Sequence, residues 1–233
     1  MIVIGRRYNG PPNMGNGGYV SGTLAAHVDG TAEVTLRRPT PLDVELTVEQ
    51  HAGGVRMLDG DTVIVTAVPT RDEPLATPGP VRLADAEAAG ERSALRRRPE
   101  THPFPGCFGC GPENDAGLRI MVGPVPGRDN LAADVWTPGP TLSGSDGVRP
   151  EFVWTALDCS AGLGAIGQES TSAPYLLGRM TVWWLAPVPA GDRYAVVGWR
   201  AGGAGRKLLA GSAIYAADGT PVAVARSTWI RLT

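Results

Sequence analysis

The sequence predicts an α+β protein built twice over, each half an apolar helix followed by an antiparallel meander that wraps around it. Three observations carry this reading. Glycine and proline are abundant, 32 and 21 of 233 residues, and they separate short stretches of alternating hydrophobicity, as in chains of many short strands. Two helical segments rich in small residues each precede such a series. The strand series of the second half also repeats that of the first.

Composition sets the bounds. With 42% hydrophobic and 19% charged residues, the chain is neither disordered nor a coiled coil. Its length suffices to bury a core without disulfide or metal staples. A net charge of −2 gives no broad electrostatic footprint for nucleic acid or an anionic membrane. The apolar run Met1–Ile4 is too short for a signal-peptide core, and no stretch approaches membrane-spanning length. Three cysteines cannot pair completely, so a reducing cytoplasm is the expected setting. Lys207 is the lone lysine among 21 basic residues, which reads as coding bias.

The elements follow in order. A first repeat is placed at 1–70, with a helix in GGYVSGTLAAHV (17–28) and strands at 31–38, 43–50 and 61–68. A linker at 71–104 is rich in Pro, Ala and charge, and its residues 84–98 suit one exposed helix. All six tryptophans lie beyond it, in a second repeat at 105–233. There Pro150 suits the first helical position of a helix over 150–167. Strands are expected at 178–185, 192–199, 207–216 and 220–232, with Asp218-Gly219 as a hairpin signal. Residues 34–58 and 180–208 both run strand, Pro-x-Pro, Asp, strand, Ala-Gly-Gly, Arg-x-Leu. Pro39 to Arg56 spans 17 positions and Pro187 to Arg206 spans 19, a slip of two that leaves duplication as the simplest account.

Several motifs invite chemistry. GLGAIG (162–167) matches a dinucleotide fingerprint, but it ends a helix instead of opening one and lacks the acid about 20 positions on, so close helix packing is the better reading. The Cys107–Cys110 pair in CFGC has zinc or redox spacing. Only His102 is near in sequence, and Cys159 lies in another element, so a tight turn is expected and no metal or cofactor. His27 and His51 have no partner nucleophile at a recognisable spacing. Arg96, Arg97 and Arg98 read as a solvated charge run, with phosphate contact the alternative. Asp158 is the more informative residue, because a carboxylate inside FVWTALDCSAGLGA is either on an exposed edge or buried for a function.

These stretches resemble the hotdog-fold acyl-CoA thioesterases in a double-hotdog form, with both repeats in one chain. CFGCGPENDAGLRI (107–120) resembles a lead-in common there, with Asp115 where Pro is usual. EFVWTALDCSAGLGA resembles the central helix of phenylacetyl-CoA-type thioesterases, and 180–232 their closing strands. The first half is similar more loosely, through NGGYVSGTLAA. The resemblance implies two fused hotdog repeats and a site where a His-Gly-Gly turn opens the helix, an N–H there polarises the thioester carbonyl, and an acid nine positions on acts as base or nucleophile. The second half keeps the acid as Asp158 but reads Arg149-Pro150-Glu151 at the turn. The first keeps Asn16-Gly17-Gly18 but has Ala25 where the acid belongs.

Eight or nine helical residues span about 12–13 Å, so the N–H groups of one helix must work with the acid of the other. One composite site is expected from Asn16, Gly17, Gly18 and Asp158. Its pseudo-symmetric counterpart, with Pro150 opposite Ala25, lacks both an N–H and an acid. Asn13, Trp154, Trp183 and Arg206 are the candidate substrate contacts. Leu177 stands where the family often has a hydroxyl residue, and Asp29 or Thr31 falls near the other equivalent place. The expected partner is an acyl-CoA or related thioester, with no nucleic acid or membrane, on a monomeric pseudodimer or a homo-oligomer. A non-catalytic acyl-ligand binding or assembly module is the alternative. A hydratase would need a His paired with an acid near the helix, and His27 has only Asp29 beside it.

Overall fold

A computed structural model describes residues 1–167 and 174–232. Strand β1 (Ile2–Val3) leads to helix α1 (Gly17–Ala25) and then to β2 (Ala32–Leu36), β3 (Glu45–His51), β4 (Gly54–Asp59) and β5 (Thr62–Pro69). Two short helices follow, α2 (Leu83–Glu91) and α3 (Ala94–Arg97). In the second half, β6 (Gly123–Pro124), β7 (Leu131–Trp136) and the ribbon of β8 (Ser143–Gly144) and β9 (Gly147–Val148) precede α4 (Pro150–Ile166). Strands β10 (Tyr175–Trp184), β11 (Tyr194–Ala204), β12 (Lys207–Tyr215) and β13 (Pro221–Arg231) close the chain.

Eleven strands form one antiparallel sheet in the order β1-β3-β4-β5-β2-β10-β13-β12-β11-β7-β6. Read outward from the central β2–β10 pair, the two sides run alike: β5, β4, β3 on one and β13, β12, β11 on the other. Across the centre Glu33 pairs with Thr181, Val34 with Met180 and Thr35 with Arg179. The offset separating Pro39 from Pro187 also separates Glu33 from Thr181, so a pseudo-two-fold axis passes through that pair. The expected α+β architecture of two wrapped helices is the one observed.

The helices obey the same axis. Both are apolar on nearly every side and sit inside the sheet's curve, with Val20 and Leu24 of α1 and Phe152, Val153 and Leu157 of α4 fully buried. They cross at small residues. A Cβ added at Gly18 would lie 2.6 Å from the Trp154 carbonyl and 2.8 Å from Thr155 Cα, and one at Gly22 would lie 2.6 Å from Glu151 Cα. Gly18 and Glu151 are equivalent positions, as are Gly22 and Thr155, so these are one contact made twice. Helix α4 begins at Pro150 and stops at Gly167, whose φ of 83° a side chain would resist. Its GLGAIG segment is a close-packing element. A Cβ at Gly162 would meet the Trp229 ring, and one at Gly164 would meet the Gly198 backbone of β11.

Two expectations need correction. The linker helix over 84–98 is broken at Arg92–Ser93 and is not fully exposed, because Ala86 and Ala89 bury one face of α2 on the outer face of the second-half sheet. Strands β4 and β7 were not expected as separate elements: Gly54 and the Asn130-Leu131 start mask their alternation. The link between linker and sheet is specific, since Asp134 on β7 accepts from Arg96 Nη2 at 2.7 Å and from the Met121 N–H at 2.8 Å. Among the described residues no helix is long and apolar enough to cross a membrane.

Candidate active site

The start of α1 meets the middle of α4 at one point. Asn16 caps α1, its Oδ1 accepting the Tyr19 N–H at 2.9 Å, which leaves the first-turn N–H groups of Gly17 and Gly18 for other partners. Gly18 donates its N–H to Asp158 Oδ2 at 2.8 Å, from the opposite repeat. The Gly17 N–H has no partner among the described residues. A Cβ built on Gly17 would sit 3.5 Å from Asp158 Oδ2, so donor and carboxylate are immediate neighbours. The positive end of the α1 dipole points at the same place.

Asp158 is 3% exposed, and its Oδ1 is buried with no hydrogen-bond partner. Burial pushes its carboxyl up to about 8, against the downward pull of the Gly18 N–H. The alternative of an exposed helix edge is therefore excluded. Beside it Asn16 Nδ2 faces the Cys107 sulfur at 3.5 Å and the Cys159 sulfur at 3.9 Å. The CFGC turn is tied to the first repeat: Phe108 donates its N–H to the Asn9 carbonyl at 2.7 Å, and Asn114 Nδ2, with two protons to donate, lies within reach of Arg7 O, Gly106 O and Asn9 Oδ1. Tyr8, Tyr19, Phe108 and Phe152 pack as one aromatic cluster behind it, with Tyr8 and Tyr19 stacked at 3.9 Å.

These groups face a cleft of about 660 Å³, lined by Asn16, Gly17, Asp158 and the three cysteines at one end. Its walls are apolar, among them Phe104, Leu163, Ile166, Leu176, Leu177 and Trp229. Arg37, Arg38 and Arg98 line it as exposed cations. Among the described residues neither Arg38 nor Arg98 has a carboxylate within ion-pair reach, whereas Arg96 of the same triplet is taken by Asp134.

The candidate residues thus divide. Asn16, Gly17, Gly18 and Asp158 come together. Asn13, Trp154, Trp183 and Arg206 do not join them. Asn13 is an exposed turn residue with φ 62°. Trp154 packs against Gly22 in the helix crossing. Trp183 donates its indole N–H to Asp72 O under Arg226, and Arg206 caps Arg231 O at a strand end. Leu177 presses on Gly17 within 3.0 Å of the added Cβ, so the position opposite the turn carries no hydroxyl. Sequence reasoning missed Arg37 and Arg38, whose only signal was two cations before a Pro-x-Pro. It also set Cys159 apart from the CFGC turn, whereas the Cys107 and Cys159 sulfurs are 3.9 Å apart.

No family model and no curated protein matches this chain in sequence. Among solved structures, the TesB protein of Mycobacterium avium subsp. paratuberculosis is similar with a TM-score of 0.59 at 14% identity, covering 96% of this chain and 89% of its own. A candidate thioesterase II from Thermobifida fusca is similar with a TM-score of 0.57 at 17% identity, covering 97% of this chain and 91% of its own. Both likenesses run through both repeats and speak for the fold. The palindromic sheet, the paired helices and these two likenesses together show a double-hotdog fold, two fused hotdog repeats in one chain.

Proposed function

We propose that this chain hydrolyses the thioester of an acyl-coenzyme A at one site made from both repeats. The observation that carries the reading is the buried Asp158 of one repeat, its Oδ1 unpartnered, lying beside the Gly17 N–H of the other, which has no partner among the described residues. The thioester oxygen binds that N–H, where negative charge develops as the carbonyl is attacked. The Gly18 N–H holds Oδ2 and leaves Oδ1 as the oxygen without a partner. Oδ1 takes a proton from the attacking water, the carbon–sulfur bond breaks, and the departing thiolate leaves with that proton as the free thiol. The acyl chain lies along the apolar wall.

The cations at the cleft support a coenzyme A ester over a small neutral thioester. Among the described residues Arg38 and Arg98 have no carboxylate partner, and phosphate groups are natural ligands of such guanidinium groups.

The test is thiol release from short-, medium- and long-chain acyl-CoAs by the wild type and Asp158→Asn. The Asn variant keeps an acceptor for the Gly18 N–H but cannot take a proton. Turnover by the wild type that falls roughly 10²- to 10⁴-fold in the variant supports the reading. Retained acyl-CoA binding with no turnover in either protein points to a binding module, a reading that Leu177 at the place of a hydroxyl residue favours.

A further inference from the structure

The CFGC motif takes no part in the hydrolysis proposed above, yet the fold completes it. The sulfurs of Cys107, Cys110 and Cys159 all lie within 4.8 Å of one another, all three side chains are buried, and none is in a disulfide. A zinc ion with sulfur ligands at about 2.3 Å in a tetrahedron needs sulfurs about 3.8 Å apart. The Cys107–Cys159 distance of 3.9 Å already meets that.

A polar donor faces the cluster: Asn16 Nδ2 approaches two of the sulfurs, at 3.5 Å from Cys107 and 3.9 Å from Cys159. Gly109 also makes room: a Cβ there would lie 2.2 Å from the Cys159 sulfur, so only glycine between the two cysteines lets the third approach. His102 is close by but is not a ligand as it stands. Its Nδ1 accepts the Phe104 N–H at 3.0 Å, which leaves the ring proton on Nε2.

We propose that Cys107, Cys110 and Cys159 form a three-thiolate site for a zinc(II) ion, with its fourth coordination position open to the cleft. The expectation of no metal, drawn from the distance of Cys159 in sequence, gives way because α4 folds that residue onto the turn. Soft sulfur donors select zinc over hard cations, and the three-ligand set with an open position is the pattern of a reactive zinc site instead of a closed structural one.

The test uses the reduced full-length chain and cobalt(II) as a spectroscopic substitute, added anaerobically. The proposal expects one cobalt per chain, thiolate-to-cobalt charge-transfer absorption that saturates at that ratio, and displacement by zinc(II). Zinc should also shield all three thiols from alkylation. Cys107→Ser, Cys110→Ser and Cys159→Ser should each lose a third of the charge-transfer intensity. Each should also weaken binding more than about 100-fold, beyond what loss of an outer partner causes. If a serine variant fails to fold, the alkylation comparison on the wild type decides alone. No charge-transfer band, with three thiols alkylated equally fast with and without zinc, overturns the proposal. None of these readouts depends on thioester turnover, so either idea fails without the other.

Discussion

At the residue scale, the protein separates groups that look alike in sequence. Gly17 and Gly18 are adjacent first-turn glycines, yet one N–H is bound to Asp158 and the other has no partner among the described residues. Three consecutive arginines split in the same way: Arg96 pairs with Asp134 at 2.7 Å, Arg97 donates to Glu91 O, and Arg98 lines the cleft. This gives a prediction for Arg38→Ala and Arg98→Ala. Each should raise KM for an acyl-CoA roughly threefold or more, as expected for an exposed charge contact. Neither should change KM for an acyl thioester truncated before the phosphates, and the effect should fade in high salt. Steady-state assays on the two substrates check it, and equal effects on both would remove the phosphate role. Asp158 was legible in the sequence because a carboxylate in an apolar helical run has few places to go. Trp154 and Trp183 misled because large aromatics serve cores and pockets equally well, and only their neighbours in space tell which. Cys159 was invisible as a partner of Cys107 because 52 residues separate them.

At the element scale, the α1–α4 crossing governs both stability and the site. The helices approach closely because Gly18 and Gly22 offer no Cβ where α4's backbone passes. Gly18→Ala and Gly22→Ala should each destabilise the protein by about 1–3 kcal/mol through overpacking. The double variant should cost less than the two combined, because the first substitution already parts the helices. Denaturant unfolding measures all three, and full additivity would mean that the two glycines do not share one contact. Both central helices were legible from small-residue runs, and the second also from Pro150. Most strands were legible from alternation. Strands β4 and β7 were not, because short strands beside Gly-rich turns show too few alternating positions. The α2 helix was read as exposed because its buried face consists of alanines and a glycine, which leave little hydrophobic signal.

At the scale of the whole molecule, a symmetric scaffold carries an asymmetric candidate site. The sheet order is palindromic and the helix contacts repeat, but the equivalents of Gly17 and Asp158 are Pro150, without an N–H, and Ala25, without an acid. A non-hydrolysable acyl-CoA analogue should therefore titrate to one site per chain by calorimetry, and two sites per chain would contradict this asymmetry. The repeat itself was legible in the Pro-x-Pro to Arg-x-Leu series, while the axis through Glu33 and Thr181 needed the strand pairing. In the proposed hydrolysis the Gly17 N–H of one repeat stabilises charge created beside the Asp158 of the other. This role is tested most directly by comparing kcat for acyl-CoA hydrolysis in Gly17→Ala and Gly17→Pro. Both add a Cβ against Leu177, and proline is tolerated at this first helical position because Asn16 is already extended, with ψ 131°. Only proline removes the N–H and makes the first helix start like the second. Gly17→Ala should keep most of the activity while Gly17→Pro loses about 10²- to 10³-fold in kcat with its fold intact. Equal activity in the two folded variants would contradict that role.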